Sequence, residues 1–490
     1  MQNLSIKTIL GIKMVYFLFI NMYEKIILIS LDTLRSDCIF SNKRKLYTSE
    51  YKLKNEIKKA KIDEIIENWF FFNNVITAAP YTSASHACIF SWLWPKNNWL
   101  YDQFNSTFKA KNIFEFLKDK GYQNAFKTDF PFILWKYLNL CNWVENYYIE
   151  DDDAMWQHIN DKKKKLLFFH FWQIHYPYGF HSLKYGGEKY KDKIAELEKK
   201  YSISSKIENL DDMAIETFRS NEDLAYLFRY KNIIHHLYKH WLDNDLFDLY
   251  IEWINHFNET KLNPFIEKLL KDLEGKKYLL VIFSDHWEAR NVDTYWHHNA
   301  TDEWVLRVPL ILYGYNIKKW LHENRIRTID ILPTINKLLW DDNTNNNLDG
   351  KSLDKIIFEN DKEDNRKAFS AVWINELKDT IRKTNGLIEK DVIDADEDIS
   401  LKYAETLYEW DAKYVRYYLK FLNRSEKIIS HQETYVYKID ENLAIDLGKD
   451  LYVSDEIKEQ MNKYNDIKLG KIQKKSEDMK KYFNLLWYKI

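Results

Sequence analysis

Residues able to do chemistry gather in a few short stretches. Residues 79–95, APYTSASHACIFSWLWP, lack carboxylates, lysine and arginine and set five hydroxyls, on Tyr81, Thr82, Ser83, Ser85 and Ser91, around His86. Hydroxyls at the start of a helix face free N–H groups and the positive end of the dipole, where an anion settles. The same pattern also describes an ordinary loop with a capping Ser or Thr. Elsewhere stand Asp32, Arg35 and Asp37 in DTLRSD, His175 in QIHYPYG, Asp285 and His286 in SDHWE, and His297 and His298 in YWHHN. Carboxylates and imidazoles are the oxygen and nitrogen ligands that divalent cations take. A cation among them lowers the pKa of a bound hydroxyl and neutralises an oxyanion. A threonine alkoxide activated in this way can attack phosphorus or sulfur and form a covalent intermediate.

Positioning these residues requires a scaffold, and the chain supplies buried strands. Residues 25–31 (KIILISL), 70–77 (FFFNNVIT), the run up to Trp172 (LLFFHFW), 278–283 (YLLVIF) and 307–314 (RVPLILYG) are apolar runs suited to strands buried on both faces. Between them the pattern predicts a polar helix over 49–68, a helix from Ser83 to Leu93, an amphipathic helix from Asn112 ended by Gly121, and a helix over 327–339. The lysine run at 162–165 reads as solvated. The charged, aromatic stretch from about 184 to 274 reads as a helical insertion, with His235, His236, His240 and His256 as surface or packing residues. Past about residue 360 the composition changes: an acidic loop over 389–398, alternating strands at 412–421 and 434–439, and a lysine-rich helix from about Val453. Strands alternating with helices predict an α/β fold with a mostly parallel central sheet, flanked by helices and followed by a smaller C-terminal α+β subdomain. In such a sheet the carboxyl ends of parallel strands open on one edge, where ligands bind. The expected division is an N-terminal extension over 1–24, a catalytic domain over 25–360 and a C-terminal subdomain over 361–490.

Composition narrows the function classes. A chain of 490 residues with 46% hydrophobic content can bury a large core, and a net charge of −2 gives no field for nucleic acid. Cys38, Cys88 and Cys141 have neither disulfide nor zinc spacing. Glycine (11) and proline (7) are scarce. The apolar segment 9–20 is interrupted by Lys13 and is shorter than a spanning helix. It favours a cytoplasmic protein, with membrane association or export through that segment as the other reading.

The chain resembles the sulfatase family within the alkaline-phosphatase superfamily. The matching pieces, in family order, are IILISLDTLRSD (26–37), the 79–95 stretch, FHFWQIHYPY (169–178), VIFSDHWE (281–288), RVPLIL (307–312) and IDILPT (329–334). The resemblance implies an alkaline-phosphatase-like fold and divalent metal (Ca, Mn, Mg or Zn) held by Asp32, Asp285, His286 and, from spacing, His297. Thr82 falls where the family places its catalytic Cys, Ser or Thr. His175, His86, Arg35 and His298 would contact the substrate anion or support it. The implied partner is an anionic ester, saccharide- or lipid-linked; oligomeric state is open.

The departures from the family pattern carry information too. Formylglycine arises within Cys/Ser-x-Pro-x-Arg, whereas residues 82–86 read Thr-Ser-Ala-Ser-His, with neither the Pro nor the Arg. Threonine resembles the phosphodiesterase and phosphotransferase branches instead. Gln173 stands where relatives often carry Asp, Trp287 follows Asp-His where Gly is usual, and Ser91-Trp92 replaces Thr-Gly. The expectation is therefore a metal-dependent hydrolase or transferase of a phosphate ester, less so a sulfate ester, using Thr82. The other readings are a catalytically silent binding protein and a formylglycine-type sulfatase.

Overall fold

A computed structural model describes residues 23–100, 107–130, 138–179, 188–203, 229–287, 290–295, 303–339, 349–361, 365–373, 399–422 and 428–449, with gaps of one to three residues inside several of these ranges. The apolar segment 9–20, the acidic stretch 389–398, the C-terminal lysine-rich stretch, His235, His297 and His298 lie outside the described residues. The described residues fall into two compact units, one made of those within 23–30, 68–170 and 272–449, the other of those within 31–67 and 171–271.

The first unit is built on a nine-stranded sheet, from strands β1 (Lys25–Leu31), β2 (Phe70–Ile76), β3 (Gln123–Thr128), β4 (Asn146–Ile149), β5 (Lys165–Phe171), β6 (Tyr278–Phe283), β9 (Arg307–Gly314), β10 (Trp320–His322) and β11 (Ile326–Arg327). Two further short strands, β7 (Arg290–Asn291) and β8 (Thr294–Tyr295), pair only with each other. The order is β10-β2-β9-β6-β1-β5-β3-β4, with β11 beside β2. Strands β1 and β6 are parallel neighbours in the middle, with Ser30 opposite Phe283. Only β9 is paired antiparallel among the registered partners, between β2 and β6, so β2 and β6 run the same way. The apolar strand runs are there because both faces are covered: β1, β5 and the last five residues of β6 are wholly buried. Their side chains join a cluster that includes Leu28, Phe72, Phe90, Phe126, Phe168 and Val281. The one charged residue of β1, Lys25, is buried because its Nζ donates to the Asp161 and Lys163 carbonyls at 2.6 Å.

Strands β12 (Ala368–Trp373), β13 (Ile399–Glu409), β14 (Ala412–Leu422), β15 (Ile428–Asp440) and β16 (Leu443–Lys449) form a five-stranded antiparallel sheet in sequential order. This sheet belongs to the first compact unit by its contacts. Among the described residues of this stretch the small C-terminal part is sheet. The fold is thus α/β, with a large central sheet and a small antiparallel sheet after it.

The second unit carries three helices in the expected insertion, Glu188–Tyr201, Asp243–Phe257 and Asn263–Asp272. Here one expectation fails. The polar helix read over 49–68 is helical only from Lys61 to Asn68. Residues 52–58 run without helix because side chains of a distant helix take their N–H groups: Asn244 from Lys52, Asp248 from Lys54 and Asn55, and Asn255 from Lys58, all at 2.8–2.9 Å. Those bonds satisfy the backbone donors without a helical ladder. The lysine run is corrected as well. Lys165 is buried at the start of β5, with Nζ 2.7 Å from Asp161 and 2.8 Å from the Gln123 side-chain oxygen. No helix among the described residues is long and apolar enough to cross a membrane.

Candidate active site

The site forms where β1 and β6 end. Beyond the Ser30–Phe283 pair each strand runs two residues further to an aspartate, Asp32 and Asp285. The registered β1–β6 pairing ends with Ser30 and Phe283 side by side at the carboxyl edge of the sheet. Asp32 continues β1 with its N–H bonded to the Phe171 carbonyl at 3.0 Å. Past β6 the chain turns tightly: His286 N–H donates to Asp285 Oδ1 at 3.0 Å and Trp287 N–H to the Val305 carbonyl at 3.0 Å. Asp285 and His286 are fully buried in the first unit and offer an oxygen and a nitrogen donor of the kind a metal ion takes; Asp32 is fully buried at the start of the second.

The hydroxyl-rich stretch 79–95 forms a helix over Thr82–Ser91, starting one residue earlier than expected. Tyr81 is extended (φ −146°, ψ 152°) just after Pro80, and the turn into the helix puts Thr82 at its first position. All ten residues are buried. Two hydroxyls tie the helix down: Ser85 donates to the Asp285 carbonyl at 2.9 Å, and Thr77 lies 2.9 Å from Ser85. Thr82 Oγ1 then sits 3.0 Å from His286 Nε2.

The tautomer of His286 follows from its other nitrogen. Nδ1 is 3.1 Å from the Trp287 carbonyl, which can only accept, so Nδ1 carries the proton and Nε2 presents a lone pair. Burial pushes the imidazolium pKa down to about 3, against the pull of that carbonyl. The lone pair therefore persists throughout the neutral range, ready to take the Thr82 hydroxyl proton or a cation. Asp285 Oδ2 lies 3.4 Å from the same Nε2.

His86 is placed otherwise than expected. Its Nδ1 donates to the Thr82 carbonyl at 2.7 Å and its Nε2 accepts from the Ser30 hydroxyl at 2.9 Å. The ring lies among Phe90, Phe168, His170 and Phe283. With both nitrogens spent on Thr82 and Ser30, His86 holds the Thr82 carbonyl and has no ring nitrogen left for an anion. Burial lowers its pKa, the nearby Asp285 carboxylate opposing, so it too is neutral. Arg35, in the second unit, is also corrected. Its guanidinium holds Asp37 through two 2.7 Å bonds and lies over the Phe247 ring. Burial disfavours that charge but Asp37 outweighs it, and the net pKa is raised. A guanidinium so committed has its fork filled by a carboxylate. His175 is buried in the second unit, stacked on Trp172 with ring centroids 4.8 Å apart. Ser30 and Thr77 were missed by sequence reasoning, and Ser85 was read only as one of five hydroxyls around His86. Ser30 carried one signal, being the only hydroxyl in an otherwise apolar central strand.

A mixed α/β sheet with Thr82, Asp285 and His286 at its carboxyl edge sets the class of protein. The family follows: the Sulfatase model matches residues 24–341, and the chain belongs to the sulfatase family, whose members generally use divalent metal ions. No curated protein matches the chain. Among solved structures, a protein in complex with its substrate D-glucosamine-2-N,6-O-disulfate aligns at 15% identity and TM-score 0.58, covering 90% of this chain and 98% of that one. The phosphonate monoester hydrolase of Silicibacter pomeroyi aligns at 12% and 0.55, covering 90% and 94%. That of Agrobacterium radiobacter aligns at 14% and 0.53, with the same coverage.

Proposed function

We propose that the protein is a metal-dependent hydrolase or transferase of a phosphate ester, with sulfate esters poorer substrates, and that Thr82 is its nucleophile. The observation that carries this reading is the 3.0 Å approach of Thr82 Oγ1 to the His286 lone pair, at the first turn of a buried helix. The donor chemistry fits a divalent cation: the carboxylate of Asp285 and an unprotonated Nε2 on His286 would hold it, with Asp32 as the further ligand that the family resemblance implies. Such an ion supplies a lowered hydroxyl pKa and neutralises oxyanion charge. The chain's own contribution is orientation. While its one lone pair is not on a cation, His286 Nε2 accepts the Thr82 hydroxyl proton and so sets the direction of Oγ1; with Nε2 on the cation, the hydroxyl proton is given up to solvent. The first-turn N–H groups, pointing along the helix axis, favour the anionic group in front of Thr82. Attack forms an Oγ1–P bond and breaks the bond from phosphorus to the ester oxygen, which leaves with a proton. Water then regenerates Thr82 in a hydrolase; an alcohol does so in a transferase.

Threonine at position 82 also argues against the formylglycine route. The substrate class is an anionic ester, saccharide- or lipid-linked. Metal content and turnover of an aryl phosphate diester against the matching sulfate ester test the reading, with Thr82→Ala as the control. A second reading, a silent binding protein, is favoured by buried Trp287 directly after His286. Stoichiometric metal together with Thr82-dependent turnover would exclude it.

A further inference from the structure

We propose that Ser30 and His86 are positioning residues for Thr82, a role that rests on the reading of Thr82 as nucleophile. The two residues complete a closed circuit. Ser30 on β1 donates to His86, His86 donates to the Thr82 carbonyl, Thr82 meets His286, and the chain from His286 returns along β6 to Phe283, the register partner of Ser30. Holding the carbonyl fixes the Thr82 backbone, so that only rotation about χ1 remains to aim Oγ1, and His286 takes up that freedom. The four rings around His86 leave the imidazole no other seat. A core histidine that merely satisfied its own polarity would affect stability and leave the reaction rate alone.

The test is kinetic and structural, on the metal-loaded full chain with an aryl phosphate diester. Ser30→Ala and His86→Phe should each lower kcat by on the order of tenfold to a hundredfold with KM unchanged. The double variant should be no worse than His86→Phe alone, because the two act in series. His86→Gln, which keeps an amide donor, should recover part of the rate. Crystal structures of Ser30→Ala and His86→Phe should show Thr82 Oγ1 moved off His286 Nε2, a readout that needs no turnover. Wild-type kcat in Ser30→Ala and His86→Phe, or an unmoved Thr82, overturns the positioning role. Full activity in Thr82→Ala instead overturns the nucleophile assignment, a separate failure.

A different observation carries a second inference. Nine described residues other than glycine have positive φ, and four of them are tryptophans: Trp92, Trp99, Trp143 and Trp410. A bulky residue there is a steric outlier. The sites differ in kind. Trp92 and Trp99 occupy the left-handed C-caps of helices Thr82–Ser91 and Pro95–Asn98. Trp410 opens the two-residue loop between β13 and β14, where Glu409 pairs with Ala412. Trp143 lies in a turn. What these positions share is a demand for glycine. Trp99, Trp143 and Trp410 are moreover 45%, 54% and 75% exposed, so burial does not explain the indole. Glycine numbers 11 and tryptophan 18 in 490 residues, against an average glycine usage of about 7%.

We infer that the protein made in its own cell carries glycine at these four positions, encoded by UGA triplets that one genetic code reads as tryptophan and another as glycine. Peptide mass spectrometry of the protein purified from its source should find glycine at 92, 99, 143 and 410; tryptophan there overturns the inference. In the recombinant 490-residue chain, the combined substitution Trp92→Gly, Trp99→Gly, Trp143→Gly and Trp410→Gly should raise the melting temperature, and a fall would count against it.

Discussion

Two buried clusters of the first unit treat a carboxylate in opposite ways. Glu303 is enclosed by cations and a hydroxyl: Arg307 at 2.6 Å, Lys413 at 2.9 Å and Tyr408 Oη at 2.7 Å. Asp285 meets the backbone N–H of His286 at 3.0 Å and the rings of two neutral histidines at 3.4 and 3.7 Å. Burial would raise the Glu303 pKa, but Lys413 and Arg307 outweigh it and bring the value down to about 2. The first cluster is a neutralised joint between the Glu303–Leu306 helix and β14. The second sets the Asp285 carboxyl group beside imidazole nitrogens, donor atoms of the kind a divalent cation takes. The difference separates a structural ion network from a candidate reactive centre at equal burial.

Breaking the second cluster should have the largest effect. Thr82→Ala should lower aryl phosphate diester turnover by on the order of 10³-fold or more while leaving the melting temperature nearly unchanged. Asp285→Asn should remove most bound metal, measured by elemental analysis of the purified protein, with far-UV circular dichroism unaltered. Breaking the first cluster should do the reverse: Lys413→Met should destabilise the chain by about 3 kcal/mol in urea unfolding, since Glu303 loses one countercharge, with metal content unchanged. The pH dependence sharpens the same contrast. The folded pKa of Glu303 is depressed from 4.5 to about 2, so its stabilisation is present above the unfolded value and is lost as pH falls from about 4.5 through 2. That loss, on the order of 3 kcal/mol, should shrink in Glu303→Gln. The smallest change is expected at the tip of the β13–β14 hairpin, where Trp410→Gly should stabilise by ~1 kcal/mol through relief of positive φ.

Only the Asp285 side of this contrast was legible in the sequence, and the part that was not has a physical cause. The central strands could be read because β1, β5 and β6 are buried on both faces and so are written as unbroken apolar runs. Their ends stood out because Asp32 and Ser284-Asp285-His286 interrupt those runs with polar side chains. Thr82, by contrast, was one hydroxyl of five until the family pattern selected it. Direction was not legible. That His86 points back at Ser30 depends on β1 passing behind the helix, 56 residues away in the chain. That Arg35 folds onto Asp37 depends on the short 3₁₀ turn at Ser36–Cys38. The segment 51–60 misled for a related reason: its polar, lysine-rich composition suits a helix, yet its N–H partners lie some 190–200 residues further along.

The central claim is that Thr82 Oγ1 forms the bond to phosphorus. Acid-quenched turnover of an aryl phosphate ester with divalent metal, followed by mass spectrometry of the peptide spanning residues 79–95, tests it directly. A phosphoryl group on Thr82, absent from Thr82→Ala, is the predicted result. Continued turnover by Thr82→Ala with an unmodified peptide would contradict it.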